Sequence, residues 1–238
     1  MRLGIMQPYF FPYLGHFGLI AACDRWVVFD TCQYTPRGWM NRNRVLHPAE
    51  GWTWATAQLR NGSIGISAQD ALLADPAAAC RSLLGRLSHL RRTAPYYDAV
   101  AALVGEVFAG AGPSLVELNV RALAAVCRYI GLPFHADRLS QLDLDLPDRL
   151  PPGGWAPVIC AALGAASYVN PAGGRALFDP ADFARHGVAL HFAEARPFAY
   201  PTPGAGFVPD LSILDVLMWN TPLQVLAAVR GCVSVSPA

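Results

Sequence analysis

The sequence predicts an α/β fold: a Rossmann-like, mostly parallel sheet flanked by helices, with a helical insertion. Three observations carry this expectation. Strand, loop, helix and strand succeed one another within the first thirty residues, the opening of a parallel α/β unit. Short apolar runs then alternate with stretches of helical period to the end of the chain. The chain has 238 residues, 53% of them hydrophobic and 15% charged, enough to build a large core.

Leu3-Gly4-Ile5-Met6 reads as a buried strand, Gln7 to Pro12 as an aromatic-proline loop and Tyr13 to Ala22 as a short helix. Trp26-Val27-Val28-Phe29 is a second strand closed by Asp30, which puts the first loop at the carboxyl edge of the sheet, where such folds hold ligands. Between Trp39 and Gln58 the pattern is irregular, with strands around Arg44-Val45-Leu46 and Trp54-Ala55-Thr56-Ala57. Three helices follow between Asp75 and Leu132, marked by Leu83, Leu84, Leu87 and Leu90, then Val100, Leu103 and Val107, then Val116, Val120, Leu123, Val126 and Ile130. Asp137 to Gly154, with Asp143, Asp145 and Asp148 among prolines, reads as a linker or mobile loop, its aspartates a solvated edge rather than a metal site. The remainder gives a helix at Trp155–Leu163, a strand at Ser167–Val169, a helix at Pro180–Arg185, a strand at Val188–Phe192 and a helix pair within Ser212–Val229. Residues 1–68 and 133–238 are expected to form the α/β core, with 69–132 a helical segment packed on the same domain.

Composition narrows the chemistry. The formal net charge is +1, too little for an extended nucleic-acid surface, although a small nucleotide is allowed. All 18 basic residues are arginines, so a Walker-type lysine, a Schiff base and a lysine-held pyridoxal cofactor are excluded. The six cysteines form no C-x-x-C pair and stand at no metal-ligand spacing from a histidine, which argues against zinc. No apolar run reaches the ~18 residues of a membrane span, and Met1 to Pro8 lacks a signal-peptide core, so the expected location is cytoplasmic. The shortage of charge favours a homo-oligomer interface or a greasy ligand site.

Polar groups gather in four places. Gln33 to Arg44 holds Arg37 and Arg42, forked donors for a carboxylate or phosphate, with Asn41, Asn43 and Gln33 suited to orienting an amide or ribose, and Trp39 costly to leave wet. A solvated loop is the competing reading. The opening loop holds Gln7, Tyr9 and Tyr13, and its Pro12-Tyr13-Leu14-Gly15-His16 is a degraded form of the H-x-G-H signature of nucleotidylyltransferases, with Tyr13 in the place of the first histidine. His16 is either a core histidine or a general base, its ordinary pKa lying near neutrality. Asn170-Pro171-Ala172-Gly173-Gly174 lets backbone approach a ligand, or is a plain turn. Asp210 precedes Ser212, which with Asp215 reads as a helix cap. Cys32 and Cys160 are the two thiols to test as nucleophiles.

Taken together, four stretches resemble the WbqC-like protein family: Ile5 to Gly15, Phe29 to Asn43, Tyr168 to Gly174, and Phe207 to Met218. The chain departs from that resemblance at Thr35-Pro36, where a lysine before the arginine is common, and at His16, where relatives often carry tyrosine. The family's setting in O-antigen, polysaccharide and natural-product loci implies a bacterial transferase, an acyltransferase or aminoacyltransferase in polysaccharide or natural-product biosynthesis, acting on an amino sugar or a carrier-protein-bound intermediate. On that reading His16, Gln7 and Asn41 are catalytic with Cys32 and Cys160 in reserve. Tyr9, Tyr13, Gln33, Arg37, Trp39, Arg42, Asn43, Asn170, Gly173, Gly174 and Asp210 bind substrate, and the cofactor is unknown. A nucleotidyltransferase using the degraded loop and a non-catalytic scaffold are the alternatives.

Overall fold

In the computed structural model, which describes residues 1–238, the opening apolar run is the middle of the main sheet. Strand β1 (Arg2–Met6) pairs in parallel with β2 (Arg25–Val28), Leu3 opposite Arg25, and on its other side with β6 (Ser167–Pro171), Leu3 opposite Tyr168. With β5 (Ala136–Arg138), β7 (Ala189–Ala195) and β8 (Val233–Pro237) the order is β5-β2-β1-β6-β7-β8. Only β8 runs antiparallel to its neighbour. The chain therefore works outward from β1 to β2 and β5, then returns to the middle and builds the other half. The α/β architecture with a mostly parallel sheet is as the sequence predicts.

A strand buried on both faces sends alternate side chains to two cores. Leu3, Ile5, Val27 and Tyr168 enter one core, under α5 (Trp155–Ala162) and α6 (Pro180–Arg185). Trp26, Val28 and Val169 enter the larger one, shared by α1 (Leu14–Ala21), α2 (Pro76–Leu87), α3 (Tyr97–Ala109), α4 (Leu115–Ile130), α7 (Ile213–Trp219) and α8 (Pro222–Gly231). Gly4 sits where a Cβ would lie 2.7 Å from the Trp26 ring, so the indole can cross β1 only because that side chain is missing. The helices start where their caps stand: Asp75 accepts from Ala78 N at 2.9 Å ahead of Pro76, Ser114 accepts from Glu117 N at 3.2 Å, and Thr221 and Gln224 close a capping box.

A second, two-stranded sheet stands apart. β3 (Arg42–His47) and β4 (Gly51–Thr56) form an antiparallel hairpin in which Arg44 faces Trp54 and Leu46 faces Trp52. Its inner side adds Val45 and Ala55 to the large core.

Three sequence expectations change. The edge strands β5 and β8 escape pattern reading because one has only three residues, two of them charged, and the other has the apolar-polar alternation and terminal proline of a solvent-facing edge. Arg25 and Asp137, 2.6 Å apart, tie β2 to β5. The stretch after Arg138 is not a free linker, since Leu142, Leu144 and Leu146 pack on the smaller core while Asp143 and Asp145 between them face solvent. Ser212 does cap a helix, through Leu214 N at 3.3 Å, but Asp215 does not complete a capping box; it accepts the Tyr200 hydroxyl instead.

Candidate active site

A cavity of about 1160 Å³ opens at the carboxyl ends of β1 and β6. These are the adjacent strands at which the chain reverses its direction of travel across the sheet. Connections leaving the two strands diverge, and the gap between them is the standard ligand crevice of open α/β sheets. The end of β1 supplies Met6, Gln7 and Tyr9, the start of α1 supplies Tyr13 and His16, and the turn after β2 supplies Phe29, Cys32 and Gln33. Across the gap stand Asn170, Gly173 and Gly174 from the end of β6, with Trp155 from α5. The hairpin closes the side with Trp39, Asn43 and Arg44, facing Asp210.

The loops around this cavity hold the chain's only non-glycine residues in the left-handed region: Phe11 at φ 38°, Arg37 at φ 60° and Asp210 at φ 55°. Such residues are strained, and the surroundings must hold them. Three consecutive side chains of β3 do so, each through the carbonyl of a strained residue. Arg42 donates to the Arg37 carbonyl; Asn43 donates to the carbonyls of Phe10 and Phe11 at 3.0 and 2.9 Å; Arg44 donates to the Asp210 carbonyl at 2.8 Å. Ser212 adds a second donor to Phe11 at 2.8 Å. Asn119 of α4, wholly buried, donates to Pro8 and Met40 carbonyls at 2.8 Å each, joining the opening loop to the hairpin loop.

Burial sets the protonation states. His16 is 3% exposed, its ring centroid 5.6 Å from that of Tyr9 and 5.2 Å from that of Trp26, and its Nε2 has no protein partner. Burial lowers its pKa to about 3, so at neutral pH it is an uncharged imidazole. Burial likewise raises Tyr9 and Tyr13, with Cys32 adding to the effect on Tyr9 and Asp210 to that on Tyr13, so both phenols stay protonated as donors. Burial raises the Cys32 thiol to about 12, against a hydrogen bond with Gln7 that lowers it. Arg44 and Asp210 are the one basic and one acidic residue of the lining. Nothing gathers three His, Cys, Asp or Glu side chains into a metal-holding group.

Of the residues the sequence singles out, the structure brings Gln7, Tyr9, Tyr13, His16, Cys32, Gln33, Trp39, Asn43, Asn170, Gly173, Gly174 and Asp210 to this one cavity. Four lie outside its lining. Asn41 is buried with its amide committed to Tyr34 Oη at 2.9 Å and the Ala57 carbonyl at 3.0 Å. Cys160 is wholly buried in the smaller core, its thiol raised to about 12. Arg37 lies in the loop before the hairpin and Arg42 opens its first strand, the Arg42 guanidinium donating to the Arg37 carbonyl rather than into the cavity. Asn43 and Asn170 reach the wall with their amides already engaged, Asn170 with Tyr168 Oη at 2.9 Å and the Pro171 carbonyl at 2.8 Å, which makes them wall-builders.

Sequence reasoning put Arg44 and Trp54 on strands, with Arg44 in the polar cluster, but gave neither a role in the site, and it passed over Asn119 and Trp52. The two-residue spacing of Arg42 and Arg44, matched by that of Trp52 and Trp54, was the available signal for their shared face, because such spacing puts each pair on one side of a strand. For Asn119 the signal was an amide inside an apolar helical stripe, where a buried polar group must have partners.

The fold and the position of the cavity define a Rossmann-like α/β protein with a ligand crevice at the reversal point of its sheet. More specifically, the chain belongs to the WbqC-like protein family, whose sequence pattern matches residues 7–226. It is similar to a Mycobacterium tuberculosis protein, described as uncharacterized protein Rv1507c, with 27% identity over 239 residues, covering 97% of this chain and 98% of the relative. No solved structure matches it.

Proposed function

We propose that this cavity is the active site of a group transferase that moves an acyl or aminoacyl group onto an amine or hydroxyl of an amino sugar or carrier-bound intermediate. The observation that carries the reading is the meeting of a neutral, unpartnered imidazole, His16, with the uncharged donors Gln7, Tyr9 and Tyr13 in one largely apolar hollow. That set suits acyl transfer. The acceptor's nitrogen or oxygen bonds to the acyl carbon, the bond from that carbon to its leaving group breaks, and the proton lost by the acceptor passes through His16 to the leaving group. Charge collects meanwhile on the acyl oxygen, where amide and phenol donors act most strongly if water is excluded. With its pKa lowered to about 3, His16 is a weak base at neutral pH, so it takes the proton only once bond formation has made the attacking group strongly acidic. The pair Arg44 and Asp210 is too sparse to neutralise a triphosphate within the hollow, which disfavours nucleotidyl transfer there.

Mixing the purified protein with acyl-pantetheine thioesters and a panel of amino sugars and hydroxyl acceptors, with products read by mass spectrometry, tests this. Acylated acceptor is expected, with turnover falling on the order of 100-fold or more in His16→Phe and Gln7→Ala. Cys32→Ala is expected to retain activity, because a thiol with a pKa near 12 supplies almost no thiolate at neutral pH. Turnover in His16→Phe equal to that of the parent protein would remove the assigned proton path.

A further inference from the structure

Strand alternation puts Arg42, Arg44, Trp52 and Trp54 on one face of the hairpin, opposite Val45 and Ala55, with only Leu46 of that face turned into the core. There the side chains interleave. The Arg42 guanidinium lies 3.9 Å from the Trp54 ring centroid, and that of Arg44 lies 5.8 Å from Trp39 and 5.5 Å from Trp52. The Trp39 and Trp54 ring centroids are 5.4 Å apart, and those of Trp52 and Trp54 5.3 Å. Trp39 and Trp52 remain 41% and 37% exposed, unusual for indoles that could be covered.

The charge on this face is uncompensated. Arg37, Arg42 and Arg44 take part in none of the six ion pairs of the chain, although acids and bases are nearly equal in number. The side chains of Arg42 and Arg44 each make a single hydrogen bond to protein, through one terminal nitrogen. Flat aromatic faces beside guanidiniums that keep terminal N–H groups unspent suit a ligand that is itself part flat ring and part anion, because the ring stacks on indole while those N–H groups meet phosphate oxygens. The face is also continuous with the cavity, since Trp39 and Arg44 belong to both.

We propose that this face of the hairpin, from Trp39 at the mouth of the cavity to Trp52, seats a nucleoside phosphate carried as the handle of the transferred group's donor. The base stacks on the exposed indoles, the phosphates meet Arg42 and Arg44, and the reactive arm enters the hollow beside His16. This inference rests on the transferase reading of the cavity, but binding to the hairpin can be measured without turnover. Nucleoside diphosphate sugars, coenzyme A thioesters and acyl adenylates all carry such a handle.

The probes are coenzyme A, UDP and ATP, titrated against the whole protein by calorimetry and by quenching of tryptophan fluorescence, with adenosine and inorganic phosphate as half-ligands. At least one nucleoside phosphate is expected to bind and quench, more tightly than either half-ligand and more weakly as salt rises. Which of the three binds identifies the handle. Trp52→Ala and Arg42→Gln are expected to weaken it tenfold or more, while Trp52→Phe, which keeps a ring to stack on and guards against a merely unfolded variant, stays within a few-fold. If no nucleoside phosphate binds at millimolar concentration, or if Trp52→Ala and Arg42→Gln bind as the parent does, the proposal is overturned. Turnover of acyl-pantetheine without nucleotide binding would overturn this seat and leave the transferase reading standing; nucleotide binding at the hairpin with no turnover of acyl-coenzyme A, acyl adenylate or acyl-pantetheine would do the reverse.

Discussion

His16 and Asp215 are the two buried side chains whose protonation folding changes most plainly, and they pull in opposite directions. His16 falls from its ordinary 6.5 to about 3 on burial, so between those values the unfolded chain holds the extra proton and stability drops as the solution is acidified. Asp215 is raised from 3.8 to about 6 by burial, against the Tyr200 hydroxyl that lowers it, so between those values the folded chain holds the extra proton and stability drops as pH rises. Each fully titrating group contributes a slope of up to about 1.4 kcal/mol per pH unit. The parent protein should therefore show a shallow stability profile from about pH 4 to 6. Denaturant titrations across that range should find that His16→Phe exposes the Asp215 slope and Asp215→Asn exposes the His16 slope. Two unchanged profiles would show that neither group titrates as its surroundings require. From sequence His16 reads as a base of near-neutral pKa, and the misjudgement was physical: the spacing shows a histidine opening a helix but not the Tyr9 and Trp26 rings that close over it.

The hairpin is the element on which the site depends. Asn43 spends both amide hydrogens on the opening loop, and its carbonyl oxygen accepts from the Arg44 backbone at 2.8 Å. Asn43→Ala should lower stability by about 1–3 kcal/mol, because it leaves buried carbonyls without donors. Asn43→Asp should cost more, since it turns a carboxylate oxygen toward two carbonyls; thermal melts of the pair decide this, and the reverse ranking would mean that the amide is not a donor there. The elements themselves were legible: β1, α1, β2, the hairpin strands and the helices from α2 to α8 stand where apolar period puts them, within a few residues. What Arg42 and Asn43 do was not legible. Their partners lie in loops as much as 33 residues away, and a hydrogen-bonding side chain looks the same in sequence whether it faces a ligand or a carbonyl of its own chain.

Across the whole molecule, protection should follow the order of the sheet. β1 and β6 are covered on both faces and paired on both sides, whereas β5 and β8 each have one free edge. Hydrogen exchange followed by mass spectrometry should find amides of β1 and β6 the slowest and those of β5 and β8 among the fastest of the strands; equal protection of centre and edge would contradict that hierarchy. The convergence of distant polar stretches on one hollow was legible in the sequence, because parallel strands send their exits to the same side and the reversal between β1 and β6 leaves a gap there. The share of each polar group in that hollow needed coordinates. One arrangement reaches further. Because Arg42, Asn43 and Arg44 are neighbours on a single ribbon, three separate walls are pinned to one short alignment of two strands. Slippage of that ribbon by a pair of residues would release every wall together and leave the six-stranded platform intact. Change at this one ribbon thus reshapes the mouth on several sides at once, and an engineer who transplants the hairpin must bring along the separate loops at Phe11, Arg37 and Asp210 that it tethers.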